Sequence, residues 1–288
     1  MQVDLASRMM LVNVSISVWE GRKLDKRITR KTIADNHVND EKGLRVNKLL
    51  IDSDAFKEVQ AMSSEVRDFV KTNTLPWYDK GYRALLRQRY QAFVEEFHIK
   101  EQNWWAAVDH FVRVKYPAEV AKASFRLVDA FVESDYPGVN ELRDRFKLTL
   151  DIAPIAGADD FRVKLDEATV TDIQDKIRAA TEQRVHDAMV DVWERVEKAV
   201  QHFAARTGPD IERFHATTVT NMVELVDLLP ALNLTNDPKL KEMATKLRST
   251  LCTYDPKDLK KDLSVRKAAN QDAAKIMEDM EGFMNAFR

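Results

Sequence analysis

Residues 170–203 read VTDIQDKIRAATEQRVHDAMVDVWERVEKAVQHF, with no Gly and no Pro. Val170, Ile173, Ile177 and Ala180 step by 3, 4 and 3. After one slip near Arg184, the stripe resumes with Val185, Met189, Val192, Val196, Val200 and Phe203. Apolar residues at that spacing cover one face of a helix. The predicted helix is roughly 35 residues and about 50 Å long. That is about three times the usual helix length in a globular protein. A rod of this kind builds scaffold and contact surface more readily than a pocket. The slip argues for packing within one chain over a regular coiled coil. The same stripe also suits contact between copies of the chain, so a homo-oligomer stays open.

On the C-terminal side, Gly208-Pro209 breaks the rod and a second stripe follows: Ile211, Phe214, Thr218, Met222, Leu225, Leu229 and Leu232. A short break between two striped helices predicts an antiparallel helical hairpin. The last predicted helix starts at Asp255 as cap with Pro256 in its first position. Its stripe runs Leu259, Leu263, Ala269, Ala273, Ile276, Met280, Phe283 and Phe287.

On the N-terminal side, period 2 appears at 11–18, where Val12, Val14, Ile16 and Val18 alternate with Asn13, Ser15 and Ser17. It recurs at 146–152 and at 161–166. These predict three strands of a small sheet, the latter two forming a hairpin across the loop 153–160. Residues 20–31 read as a short basic helix or turn. Ser53 is placed as the cap of a helix to about Lys71. Thr74-Leu75-Pro76-Trp77 is a break. From Tyr82 to about Lys115 the pattern is helical and rich in aromatics. Pro117 opens another helix that stops near the turn Asp135-Tyr136-Pro137-Gly138. The fold class is mainly α with a small β-sheet, an elongated helical bundle with long antiparallel hairpins. An α+β subdomain is placed at 1–166 and a long-helix subdomain at 167–288, sharing one sheet.

The composition agrees. The 288 residues are 44% hydrophobic and 32% charged, with Gly 7 and Pro 8, which favours long helices. A net charge of −2 gives the whole chain no electrostatic case for nucleic acid or anionic membrane. The lone Cys252 allows no internal disulfide and fits a reducing cytoplasm. No apolar run approaches the ~18 residues of a membrane span. Met1 to Met10 carry no basic leader, so no signal peptide is expected.

Phosphate-loop motifs are missing: there is no G-x-x-x-x-G-K and no G-x-G-x-x-G. There is also no G-x-S-x-G, which weakens a serine hydrolase. Glu95-x-x-His98 and Glu212-x-x-His215 match the helical motif of di-iron bundles, with Glu58 or Glu65 and Glu194 or Glu197 as further carboxylates. Both motifs sit off the centre of their stripes, and ordinary flank residues are the stronger reading. No resident metal or cofactor is expected.

The basic segment Arg22, Lys23, Lys26, Arg27, Arg30 and Lys31, with Trp19 before it, is a candidate contact surface. With Arg83, Arg87 and Arg89, and with Trp77, Tyr78 and Tyr82, it also suits single-strand binding by stacking and phosphate contact. The plainer reading is a solvated face with core aromatics. Trp104 and Trp105 point about 100° apart on a helix and cannot both sit at the core centre, so one of them is expected to be exposed and to mark an interface.

Four phrases carry a resemblance. They are Ser17-Val18-Trp19-Glu20-Gly21-Arg22-Lys23 with Asp25-Lys26, and Asn73-Thr74-Leu75-Pro76-Trp77 with Asp79 and Gly81. Asp135-Tyr136-Pro137 with Leu142-Arg143 and Phe146 follows, then Asp160-Phe161-Arg162-Val163. In this order they resemble a family of uncharacterised tailed-phage and prophage proteins. Its genes often lie beside those of a MoxR- or cobalt-chelatase-like AAA+ ATPase and a von Willebrand A-domain protein. That family shows Leu-Leu-Pro soon after the Gly-x-Arg step. Here Arg83 is followed by Ala84-Leu85-Leu86-Arg87, which predicts an earlier helix start. No catalytic residue transfers. The resemblance implies a non-catalytic adaptor or scaffold in the cytoplasm of a bacterial host, with an AAA+ ATPase or A-domain protein as partner. The contact residues predicted are Trp19, Arg22, Lys23, Lys26 and Arg27, and Trp77 as contact or as core anchor of its turn. Single-stranded nucleic acid is the second reading and a di-iron bundle enzyme the third.

Overall fold

The computed structural model describes residues 5–40, 42–78, 81–155, 166–209, 211 and 214–284. It is mainly helical with a small antiparallel sheet. The chain divides into two compact units. One comprises Met1–Asn13, Lys71–Gln91 and Asp151–Arg288, here the helical unit. The other comprises Val14–Val70 and Ala92–Leu150, here the aromatic unit.

The order begins α1 (Leu5–Arg8), β1 (Met9–Ser17), β2 (Arg22–Leu24), α2 (Lys26–Asp35), β3 (Asn47–Leu49) and α3 (Lys57–Asn73). It continues with β4 (Leu75–Pro76), β5 (Arg83–Leu86), α4 (Tyr90–His110), a π turn at Phe111–Lys115, α5 (Tyr116–Leu127), α6 (Val139–Arg143) and β6 (Lys147–Ala153). The last part is α7 (Glu167–Thr207), α8 (Thr217–Leu232), α9 (Pro238–Ser249), α10 (Pro256–Lys261) and α11 (Leu263–Met284).

The rod is α7, at 41 residues longer than the stripe alone predicts. Asp166 caps it by accepting from the Thr169 N–H at 2.9 Å. Its buried face is Ala188, Met189, Val192, Trp193, Val196, Val200 and Phe203, which packs on α8 and α11. Each of the valine, methionine and phenylalanine side chains among them contributes roughly 1.5–3 kcal/mol when fully buried. The earlier stripe residues Val170, Ile173, Ile177 and Ala180 are only half-buried.

Several expectations need correction. Residues 83–86 are a strand, not the start of a helix, and the helix begins at Tyr90. Pairing with β1 decides this: Met9 faces Leu86, Met10 Leu85, Leu11 Ala84 and Val12 Arg83. β4 pairs on the other side of β5, giving the order β4-β5-β1-β6. The strand expected at 161–166 falls, up to residue 165, outside the described residues. The cap of the 53–73 segment is Asp52, accepting from the Asp54 N–H at 3.0 Å, rather than Ser53. The second striped helix starts at Thr217, not Ile211. The last helix is two: Asp262 is extended, ends α10 and caps α11 by accepting from the Ser264 N–H at 2.7 Å. Helix α9 was not anticipated, although Asp237-Pro238 repeats the start signal of Asp255-Pro256.

Within the helical unit, Arg195 and Arg83 satisfy carbonyls at the end of α3 that no helical N–H reaches. Arg195 donates to the Thr72 and Thr74 carbonyls at 2.9 and 2.8 Å. Arg83 donates to the Thr74 hydroxyl at 2.7 Å and Arg89 to the Asn73 side-chain oxygen at 3.0 Å. Burial first, and then the neighbouring Arg195 charge, lower the Arg83 pKa.

The aromatic unit is built on rings. Phe56 stacks on Phe111 at 4.8 Å and Phe69 on Phe93 at 5.0 Å. Trp104 is fully buried and donates its indole N–H to Ser63 Oγ at 2.8 Å. Trp105 is half-buried, with Arg143 lying over its ring at 4.4 Å. The adjacent tryptophans divide as helical geometry requires, but Trp105 is half-buried rather than exposed as expected.

Candidate functional site

The site is assembled around β2. Gly21 has φ +63, and a Cβ there would lie 2.9 Å from Ile51 Cγ1 and 3.0 Å from Phe56 Cε2. Only glycine accepts that backbone and that approach without strain. The Gly21 carbonyl receives the Leu50 N–H at 2.8 Å, after which β2 and β3 run antiparallel with Arg22 opposite Leu49, Lys23 opposite Lys48 and Leu24 opposite Asn47.

Successive side chains of a strand point to opposite faces. Lys23 therefore departs from Arg22 and bonds Asp135 at 2.6 Å. Its cross-strand neighbour Lys48, with a side chain 5% exposed, also pairs with Asp135 and donates to the Ala130 carbonyl at 2.8 Å. Burial pushes the Asp135 pKa up. The hydrogen bonds from Lys23 and Lys48 outweigh it and hold the carboxyl below its ordinary value. Two facing lysines would repel; the carboxylate between them turns that repulsion into a clamp on the turn at 133–137. Tyr136 reinforces it by donating to the Leu50 carbonyl at 3.1 Å.

Arg22 lines an open groove of about 650 Å³ with Trp19 and Glu20 before it and Phe56, Gln60 and Arg67 from the segment that leads into and forms α3. Trp19 is 9% exposed and meets Phe56 and Tyr116 edge-on, so its ring belongs mainly to the core beneath the groove. Neither the Arg22 nor the Arg67 side chain has an ion-pair or hydrogen-bond partner among the described residues. Two unpaired guanidiniums beside an apolar floor suit a carboxylate carried next to an apolar side chain.

The sequence-predicted contact residues are thus divided. Trp19 and Arg22 line the groove. Lys23 is committed to Asp135, and Arg27 donates to the Asp129 carbonyl at 3.4 Å. Lys26 is exposed in the first turn of α2. Trp77 is 4% exposed and lies in the core of the helical unit with Leu75 and Ala84. Arg67 was missed, because a lone arginine on the polar side of a striped helix carries no distinguishing signal.

The E-x-x-H pairs are not two helical ligand sets. Glu95 and His98 are exposed on α4, with His98 beside Gln102 at 2.9 Å. His215 precedes α8 in non-helical chain, and Glu212 lies outside the described residues. Of the further carboxylates, Glu58 bonds both His110 and Lys115 at 2.9 Å, and Glu194 bonds Lys198 at 2.8 Å. Hydrogen bonds from Lys115 first, then from His110, lower the Glu58 pKa. Among the described residues no three His, Cys, Asp or Glu side chains gather as metal ligands. No helix among them is long and apolar enough to cross a membrane.

No protein-family model, curated protein or solved structure matches the chain.

Proposed function

We propose that the chain is a phage-encoded, non-catalytic interaction protein, an adaptor or scaffold in the cytoplasm of a bacterial host. It takes a protein partner in the groove of the aromatic unit, the partner being an AAA+ ATPase or a von Willebrand A-domain protein. The observation that carries the reading is the pair of unpaired arginines, Arg22 and Arg67, over the Trp19–Phe56 side of an open groove. Arginine beside aromatic surface is the chemistry enriched at protein contact centres. The burial of Trp19 and Trp77 favours a protein over a single strand, since stacked bases need an open ring face.

The test is an affinity pull-down from infected cells, with and without nuclease, using the wild type and an R22E/R67E variant. An ATPase or A-domain protein that survives nuclease and is lost with the variant supports the reading. Recovery that vanishes with nuclease replaces it with nucleic-acid binding.

A further inference from the structure

The helical unit holds a second concavity that goes beyond this reading. It has a volume of about 520 Å³ and is lined by Arg8, Arg87 and Lys241, with Leu86, Gln88 and Asn236 among the rest. Among the described residues no carboxylate lines it. The three cations have no ion-pair or hydrogen-bond partner from their side chains among the described residues.

Local structure makes this concentration of charge costly. Met9 faces Leu86 in the β1–β5 pairing. Arg8 and Arg87 are the next residues on the two facing chains, where like charges repel. Lys241 lies in the first turn of α9, where a cation opposes the helix dipole. Glu242, next to Lys241 in sequence, is exposed and does not line the pocket, and Asp237, the cap of α9, is engaged elsewhere. One of its oxygens accepts from the Lys239 N–H at 2.9 Å and the other from the Trp193 indole at 3.4 Å. Gln88 spends its amide on the Pro230 carbonyl at 2.8 Å, which fixes the rim at the end of α8. A bound anion removes the repulsion that the chain itself leaves standing.

We infer that this pocket binds a small phosphorylated polyanion. Two guanidiniums and one ammonium match a group carrying several phosphoryl oxygens. The volume exceeds what a single phosphate fills and falls within the ordinary range for small-molecule sites. The apolar Leu86 wall offers contact to the organic part of such a ligand.

The test is isothermal titration calorimetry of the full chain with inorganic pyrophosphate, ATP and citrate. Saturable binding of pyrophosphate or ATP is expected, with citrate at least tenfold weaker. Stronger binding of ATP than pyrophosphate identifies a nucleotide source, and the reverse a free polyphosphate. R87E/K241E, and the milder R87Q/K241Q if reversal perturbs the circular dichroism spectrum, should weaken binding at least tenfold. R22E/R67E should leave it unchanged, which separates this site from the groove. The inference is overturned if neither phosphate compound binds saturably, if citrate binds as well, or if the Arg87/Lys241 variants bind like wild type. It is also overturned if a short single-stranded oligonucleotide binds while pyrophosphate and ATP do not.

Discussion

The helical unit and the aromatic unit reach stability by different means. In the first, aliphatic faces of α7, α8 and α11 meet along regular stripes, with Val192, Val196, Val200 and Phe203 all at 0% exposure. In the second, rings form the core, while long side chains tie distant segments by bonding backbone carbonyls there as Arg195 does in the first. Lys48 reaches Ala130, Arg126 reaches Leu49 and Leu50, and Tyr116 reaches Pro137. A stripe tolerates small changes in any one residue, because its neighbours repeat the same contact. A ring packed on rings has no such redundancy.

The largest expected effects come from emptying each core. Trp104→Ala and Phe203→Ala should each cost about 3–5 kcal/mol. Hydrogen exchange read by mass spectrometry should localise the loss of protection to 14–70 and 92–150 for Trp104→Ala. For Phe203→Ala it should fall on 71–91 and 151–284. Equal loss in both sets for either variant would merge the two units into one cooperative structure. Next, Lys48→Ala should cost about 3 kcal/mol by urea denaturation, the low end for a broken buried pair because Lys23 still faces Asp135.

The same clamp predicts a pH dependence. The folded pKa of Asp135 is lowered, so its contribution is complete above the unfolded value of about 4 and is lost as pH falls through the folded value. Asp135→Asn should therefore be less stable than wild type at pH 7, and the gap in urea midpoint should narrow on acidification below pH ~4. A constant gap would mean that Asp135 acts by shape alone. The smallest effect belongs to the helical unit: Arg195→Ala should cost roughly 1–3 kcal/mol through its lost bond to the Thr72 carbonyl, the Thr74 carbonyl keeping its bond from Arg83 at 3.2 Å.

The two units were also unequally legible. Rod α7, helix α8 and most of α11 follow from apolar spacing, a local signal carried by each helix itself. Strand β5 was misread because Arg83-Ala-Leu-Leu favours a helix by propensity, while its partner β1 lies more than sixty residues earlier. Trp19 and Arg22 stood out as an aromatic beside a basic run. Arg67 and the commitment of Lys23 did not, because alternation on β2 and the approach of Asp135 exist only once the chain has folded. The buried face of Trp77 could not be separated from a contact role for the same reason: a break containing Pro76 says where the chain turns, not what covers it.

The division of the chain also sets an order of assembly during translation. Every residue of the aromatic unit lies at or before Leu150, whereas α7 to α11 lie after it. Synthesis proceeds at about 5–20 residues per second, and domains generally fold as units as they emerge. The ring core and the Asp135 clamp can thus close on the ribosome while the long helices are still being made. The segments 1–13 and 71–91 must wait for those helices to bury Leu75, Trp77 and Leu86. A nascent chain paused soon after residue 150 has emerged should resist protease across 14–70 and 92–150 and be cut within 71–91.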